Sequence, residues 1–216
     1  MSGVHIAPPE LQPASFAFTA ENMDLAKKHI AKYPAGRQQS AVMPLLDLAQ
    51  RQHDNWLPQA AIKCVAEMLG MPVIRVLEVA SFYTMYNLAP VGKHFIQVCT
   101  TTPCWLAGSD KVVSACRKHL GIGPGETTPD GEFTVIEVEC LGACVNAPML
   151  QYNDDFYEDL DEASTGKIID ALKRGETPKP GPQNGRLSSE PLGGATTLTT
   201  FNPAGQGTPL AGGNDD

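Results

Sequence analysis

Two stretches of the sequence decide the fold: FIQVCTTTPC at residues 95–104 and FTVIEVECLGAC at residues 133–144. Each begins with a run rich in β-branched and aromatic residues, which is typical of a β-strand. Because the ends of neighbouring strands in one sheet lie at the same edge, the pattern predicts that the thiols after the two runs converge. These thiols form two close pairs, Cys99 with Cys104 and Cys140 with Cys144.

The cysteine spacing leaves several kinds of site open. A [2Fe–2S] cluster takes four cysteine thiolates, and a structural zinc site takes four ligands as well. The gaps of four and three residues within the pairs differ from the two-residue gap of a zinc knuckle or a redox dithiol. Buried cysteines that act as small apolar residues are a further possibility. The surrounding Thr, Pro, Gly and Ala residues indicate loops rather than a helix face, which favours iron–sulfur ligation.

Composition excludes some classes of function. The 216-residue chain is 42% apolar, which suits a globular core, and its net charge is −8. That acidity argues against nucleic-acid binding, which requires a basic surface. No apolar run approaches the roughly 18 residues of a membrane span, and the first residues lack the basic and apolar regions of a secretory signal. We therefore expect the six cysteines to stay reduced or to bind metal.

Four amphipathic segments predict a helical domain at residues 16–90, after a mobile N-terminus at residues 1–15. Ser40 suits the N-cap of the second helix, and Gly70 suits the C-cap of the third. Cys64 lies among apolar residues of the third helix, so we expect it in the core. The predicted helices run from Thr19 as N-cap to Lys32, from Ser40 to His53, from Pro58 to Leu69 and from Pro72 toward Tyr86.

The apolar period then changes from that of a helix to that of a strand, which predicts a second domain at residues 91–175. Its order of strand, helix, three strands and helix is that of a thioredoxin-like layer of helices on a small mixed sheet. Cys116 falls on the inner face of the first helix. Pro148 lies just before the third strand, where thioredoxin-like folds often hold a cis-proline, so we expect a cis peptide bond there although most X–Pro bonds are trans. The whole chain is then an α+β protein. The predicted elements span residues 94–98, 108–120, 133–138, 149–152, 156–158 and 162–173.

Beyond the cysteines, the chain offers little chemistry of its own. The segment GIGPG at residues 121–125 follows a helix instead of a strand, so it does not fit a dinucleotide-binding loop. We find no paired acid and base, and no nucleophile with its partners. The sequence therefore predicts an electron carrier rather than a complete catalyst.

The C-terminal segment, residues 176–216, is rich in Pro, Gly, Ser and Thr and has no periodic apolar face. Such a composition cannot build its own core. It predicts an extended tail that is either disordered or ordered against a partner.

Six segments are shared with a known group of proteins: SAVMPLL at 40–46, VASFYTMY at 79–86, PVGK at 90–93, CTTTPC at 99–104, ECLGACVNAP at 139–148 and GPQNGR at 181–186. With these, the chain resembles the small thioredoxin-like iron–sulfur subunit of respiratory NADH:quinone oxidoreductase (complex I). The resemblance covers about residues 16–195. The GPQNGR segment favours the respiratory enzyme over the related subunits of NAD-linked hydrogenases and formate dehydrogenases.

The resemblance implies a complete set of functional expectations. The chain would dock on a flavoprotein subunit that binds FMN and NADH, within the peripheral arm of complex I. It would belong to an oxidoreductase without holding a complete active site, and its cluster would exchange single electrons with the flavin. We expect a peripheral location on the cytoplasmic side of the inner membrane, with no direct membrane insertion. The implied ligands of one [2Fe–2S] cluster are Cys99, Cys104, Cys140 and Cys144.

Two other functions stay open at this point. One is a free-standing thioredoxin-like ferredoxin, although a mobile carrier needs neither the helical domain nor the tail. The other is a zinc-stabilised interaction module, which would be colourless where an iron–sulfur protein is reddish-brown.

Charge around the second cysteine pair predicts a low reduction potential. Residues 126–162 contain eleven carboxylates and no Lys, Arg or His. Negative charge disfavours the addition of an electron to a cluster, and Glu139, next to Cys140, is the best candidate for such an effect. A solvated, screened acidic surface is the alternative. We expect backbone amides around residues 100–102 and 142–143 to oppose the effect by donating hydrogen bonds to sulfur.

Overall fold

The computed structural model of the chain describes residues 5–191, 193–194 and 196–197. The chain divides into two compact units, Met1–Lys93 and His94–Asp216. This division lies near residue 90, where the sequence pattern changes from a helical to a strand period. Among the described residues, the helices are too short or too polar to cross a bilayer.

The first unit is helical, and its helix ends follow from local sequence. Thr19 caps the first helix as predicted, because its side chain accepts a hydrogen bond from the Asn22 amide at 3.2 Å. Gly70 ends the third helix in the left-handed conformation, with a φ of 62°, which is the predicted C-cap. The helices are α1 (Ala20–Ala31), α2 (Val42–Gln52), α3 (Gln59–Leu69) and α4 (Val73–Phe82).

Two predicted helix limits are wrong. Ser40 does not cap α2, because it lies in a 3-10 turn that runs directly into the helix and already supplies a carbonyl acceptor for the Val42 amide. Helix α4 ends at Phe82 instead of continuing toward Tyr86. The residues after Phe82 are mostly aromatic or β-branched, and such residues lose rotamer freedom in a helix. Tyr86 instead buries its ring, and its hydroxyl donates to the Met43 carbonyl at 2.9 Å.

The apolar faces of these helices form one core. Leu45, Leu46 and Val65 are fully buried in it, and Cys64 packs against it as a partly buried residue, as expected. Burial also raises the pKa of the Cys64 thiol. Cys64 therefore has the surroundings of a packing residue.

Part of the N-terminal segment that we expected to be mobile is packed on the helical unit. Ala7 is buried, and its amide donates to the Leu88 carbonyl at 2.8 Å. The Gln12 side chain donates to the Ala7 carbonyl at 3.0 Å and accepts from the Gln59 amide at 2.9 Å. Gln12 thus satisfies one of the free amides at the start of α3.

The second unit is built on a mixed six-stranded sheet with the order β2-β3-β1-β4-β5-β6. Strand β1 pairs in parallel with β3 on one side and antiparallel with β4 on the other. The strands are β1 (His94–Cys99), β2 (Glu126–Thr127), β3 (Phe133–Val138), β4 (Leu150–Tyr152), β5 (Asp155–Glu158) and β6 (Gly181–Pro182). The helices of this unit are α5 (Thr102–Ala107), α6 (Ser109–Leu120) and α7 (Glu162–Lys173).

Helices α6 and α7 cover the sheet and bury its centre. Ile96 and Val98 of β1 pack with Val112 and Cys116 of α6 and with Ile169 of α7, and all five are fully buried. Burial raises the pKa of the Cys116 thiol to about 12. Cys116 is therefore the core residue that the sequence predicted.

Three elements of this unit were not predicted from sequence. Strands β2 and β6 have two residues each, too few to show a period. Helix α5 was expected to be a loop because of its Thr and Pro content. Its proline lies in the first turn, where the missing amide would have no partner anyway, so it starts the helix rather than breaking it. The Ala147–Pro148 peptide bond is cis, as predicted.

The first part of the C-terminal tail packs on its own unit. Strand β6 pairs in parallel with β5, and the buried Tyr157 hydroxyl donates to the Pro178 carbonyl at 2.9 Å. The Gln183 amide continues the pairing by donating to the Glu158 carbonyl at 2.9 Å. Residues 198–216 lie outside the described residues.

Candidate metal centre

Parallel pairing of β1 with β3 brings the two cysteine segments to one edge of the sheet. Cys99, the last residue of β1, stands opposite Val138, the last residue of β3. The Thr100 amide donates to the Val138 carbonyl at 3.4 Å, so the segments are still adjacent as they leave the sheet. The predicted convergence of the two strand ends is therefore present in the fold.

The first cysteine pair is buried. Cys99 and Cys104 are each 1% exposed and pack with the fully buried Met149. Cys99 is the last residue of β1 and Cys104 lies inside α5, so the expectation that both pairs lie in loops is wrong for the first pair. The turn between β1 and α5 brings the two cysteines into the same buried cluster.

The second cysteine pair is exposed. The Sγ atoms of Cys140 and Cys144 are 3.6 Å apart, and Cys144 begins a short 3-10 turn. The Gly142 amide donates to Cys140 Sγ at 3.4 Å, as predicted for the amides of this segment. Gly142 has a φ of +84°, a conformation that other residues adopt only with strain. A glycine here lets the chain turn tightly enough to direct its amide at the sulfur.

The pKa values of the buried thiols show how the two segments interact. Burial opposes ionisation of Cys99, but hydrogen bonds from the Thr101 hydroxyl and from the Leu141 and Thr101 amides outweigh it and lower its pKa. Leu141 belongs to the second cysteine segment, so that segment reaches the thiol of the first. Burial, followed by contact with Cys99, raises the pKa of Cys104 to about 12.

Charge interactions also connect the two pairs. A hydrogen bond with Cys140 is the largest cause of the raised pKa of Cys144, and the charge of Cys99 adds to it. Cys144 in turn contributes to the raised pKa of Cys104. Neighbouring thiols disfavour ionisation of Cys104 and Cys144. A cation would stabilise both as thiolates, because metal coordination deprotonates a thiol.

The cysteine donor set suits a metal centre of four thiolates. A [2Fe–2S] cluster takes four cysteine thiolates, which is the number that the two pairs supply together. A metal–sulfur bond of about 2.3 Å gives a tetrahedral edge of about 3.8 Å. The 3.6 Å between Cys140 and Cys144 is close to that edge.

Two features of the site were not visible in the sequence. The Thr101 hydroxyl contacts Cys99 Sγ at 3.2 Å, although Thr101 is the N-cap residue of α5 and its side chain would be expected to cap the helix. Arg186, from the tail, donates to the Val145 carbonyl at 3.3 Å, next to Cys144. A lone arginine in a Pro- and Gly-rich segment carries no signal of such a contact.

The chain matches known proteins over most of its length. A family model described as the thioredoxin-like [2Fe–2S] ferredoxin matches residues 26–173. A protein of Dictyostelium discoideum, "NADH dehydrogenase [ubiquinone] flavoprotein 2, mitochondrial", is 54% identical over 183 residues, which are 85% of this chain and 74% of that protein. An NADH-quinone oxidoreductase subunit of Rickettsia conorii is 59% identical over 159 residues, 74% of this chain and 95% of that protein.

A solved structure is similar in fold. It is a crystal structure of an NAD+-reducing [NiFe]-hydrogenase in the air-oxidised state, with a TM-score of 0.53 and 22% identity. The match covers 60% of this chain and 23% of that chain. At this identity the likeness supports the architecture alone.

Proposed function

Because the chain belongs to the thioredoxin-like [2Fe–2S] ferredoxin family, we propose that its four paired cysteines hold one [2Fe–2S] cluster. The observation that supports this most is the pair of cysteine segments at the ends of two adjacent parallel strands. The proposed ligands are Cys99, Cys104, Cys140 and Cys144.

The chain is an electron-transfer subunit of NADH:quinone oxidoreductase. Its relatives at 54% and 59% identity are named as NADH dehydrogenase and NADH-quinone oxidoreductase proteins. When bound, the cluster supplies one-electron chemistry. The chain's own residues do the rest. Burial of Cys99 and Cys104 keeps water from one side of the site, while Thr101 and Gly142 donate hydrogen bonds to sulfur. Such donors stabilise negative charge on the ligands.

The finer proposal concerns the partner. NADH gives two electrons as a hydride, so a flavin is the natural group to divide them into single electrons. We place FMN and NADH on a partner flavoprotein subunit, with which this chain exchanges electrons. The complex would hold the chain at the membrane surface, peripherally and on the cytoplasmic side. An equivalent subunit of an NAD-linked hydrogenase is the alternative, but the similarity of this chain to such a hydrogenase is limited to the fold.

The ligand proposal is tested by anaerobic reconstitution and metal analysis. We expect two iron and two sulfide ions per chain, with each single Cys→Ser change at a proposed ligand weakening or removing the cluster. Cys64→Ser and Cys116→Ala are the matched controls and should retain full iron and sulfide. Equal loss in all six variants, or zinc in place of iron, would contradict the proposal.

The partner proposal has a separate test. Native co-purification with mass analysis and a flavin assay should recover this chain with an FMN-containing subunit. NADH should then reduce the cluster in that complex but not in the isolated chain. Reduction of the isolated chain by NADH would show that no partner is needed.

A further inference from the structure

The tail residues 178–190, here called the C-terminal strap, reach the second cysteine segment. The strap runs beside β5 through the Tyr157–Pro178 hydrogen bond and the β5–β6 pairing. It then leaves the sheet and passes the 3-10 turn Cys144–Asn146. A segment far away in sequence is thus packed against the turn that carries one of the proposed ligands.

Arg186 makes the central contacts of the strap. Its guanidinium pairs with the Asp159 carboxylate, and both side chains are only 6% exposed. One of its amino groups also donates to the Val145 carbonyl at 3.3 Å and to the Glu190 carbonyl at 3.1 Å. Because a guanidinium is planar and has several donors in a fixed arrangement, it can join these groups in one geometry.

A second contact fastens the same turn. Asn146 is 1% exposed, and its side-chain amide donates to the Ser188 carbonyl at 2.7 Å and to Glu158 Oε2 at 3.0 Å. The Asn146 carbonyl accepts from the Asp159 amide at 2.8 Å. The two residues after Cys144 are therefore both hydrogen-bonded to the strap.

Stabilisation of the fold does not by itself explain the ion pair between Arg186 and Asp159. Within the described part of the chain, Asp159 Oδ2 and Arg186 Nε are buried without a hydrogen-bond partner. A buried ion pair gains little net stability once desolvation is counted, and incomplete hydrogen bonding reduces the gain further. Arg186 also brings a positive charge to residues 126–162, which contain eleven carboxylates and no basic residue.

We propose that Arg186 is a positioning residue for the cluster: it fixes the turn that follows Cys144 and offsets the negative charge around it. The inference rests on the proposed function, since it requires that Cys144 is a cluster ligand. It has two separable parts. Anchoring depends on the planar guanidinium with its fixed arrangement of donors, here called the fork. Charge compensation depends only on the net charge of the Arg186–Asp159 pair.

The test uses the anaerobically loaded full chain and three variants. Arg186→Gln removes both anchoring and charge compensation, whereas Arg186→Lys keeps the charge without the fork. The double change Asp159→Asn with Arg186→Gln removes the ion pair without changing the net charge. Arg174→Gln is the matched control, because Arg174 is an exposed cation paired with Glu176. The measurements are the rate of cluster loss to an iron chelator and the midpoint potential.

Arg186→Gln should lose its cluster about tenfold faster than the unaltered chain, as expected for a lost hydrogen bond to a charged group. Its potential should shift to more negative values. Arg186→Lys and the double variant should lose the cluster faster while keeping a potential near that of the unaltered chain. Arg174→Gln should change neither measurement. If Arg186→Gln does not fold, the double variant, which leaves no unpaired buried charge, still tests the anchoring part.

The proposal is overturned if Arg186→Gln, or the double variant in its place, loses the cluster no faster than Arg174→Gln. A Lys variant whose cluster is as durable as that of the unaltered chain would refute the need for the fork. An unshifted potential in Arg186→Gln would refute charge compensation. An unaltered chain that takes up no iron and sulfide would instead refute the proposed function itself, so the two failures are distinguishable.

Discussion

The change Thr101→Val tests the hydrogen bond between the Thr101 hydroxyl and Cys99 Sγ, a contact of 3.2 Å. Valine has nearly the shape of threonine, so the change removes the hydroxyl and little else. Helix α5 loses no cap, because the Thr101 side chain makes no capping hydrogen bond. The donor stabilises negative charge on sulfur, and a reduced cluster is more negative than an oxidised one, so its loss should lower the reduction potential.

The size of the shift follows from the strength of the bond. Hydrogen bonds to charged groups contribute roughly 1.5–3 kcal/mol, and only the difference between the oxidised and reduced states moves the potential. If that difference is about 1 kcal/mol, the potential falls by about 40 mV, since a tenfold change in a one-electron equilibrium is about 59 mV. The assay is a redox titration followed by visible absorption. Thr102→Val, at an exposed neighbouring position, is the control and should leave the potential unchanged. A Thr101→Val potential that stays constant or rises would refute the reasoning.

Three further predictions concern charge, packing and helix capping. Glu139→Gln should raise the potential by only about 10–20 mV, because Glu139 is exposed and its charge is screened; no shift, or a fall, in the same titration would contradict this. Gly166→Ala should lower the free energy of unfolding by about 1 kcal/mol, since an added Cβ would lie 2.7 Å from His119 Nε2. In a His119→Ala background the same change should instead stabilise, by about 0.5–1 kcal/mol of helix propensity, and a double-mutant cycle in urea checks the reversal. Asp161→Ala should cost about 1 kcal/mol at pH 7, because Asp161 caps α7. Hydrogen bonds from the Ser164 amide and hydroxyl lower the pKa of Asp161, so its stabilisation is present above the unfolded pKa of about 3.9 and is lost as the pH falls through the folded value. Asp161→Asn should remove that pH dependence while keeping the cap, and an unchanged pH profile would count against it.

The sequence predicted most of what depends on local pattern. The caps at Thr19 and Gly70 are confirmed, as are the core position of Cys116 and the cis bond before Pro148. The caps and the core position depend on residues within a few positions of each other, where capping and periodicity act, whereas the cis bond was expected from the thioredoxin-like fold. The α+β class and the thioredoxin-like architecture follow from the order of such elements, and both are confirmed.

The remaining features depend on contacts between distant segments. Both cysteine pairs lie among similar small residues, yet Cys104 is buried within a helix and Cys144 is exposed. The difference arises from what covers each segment, which the local sequence does not contain. Arg186 contacts a carbonyl 41 residues away, at Val145. The Thr101 hydroxyl contacts a sulfur, in a segment for which the sequence pattern indicated only a loop.

The contrast between a buried and an exposed cysteine pair has a consequence for the order in which the four thiols are chemically modified. Small reagents that meet the cluster-free chain should alkylate Cys140 and Cys144 first, because thiols of the other pair are only 1% exposed. Oxidants should follow the same order. Modification of the cluster-free site would therefore begin at Cys140 and Cys144 and leave Cys99 and Cys104 as free thiols.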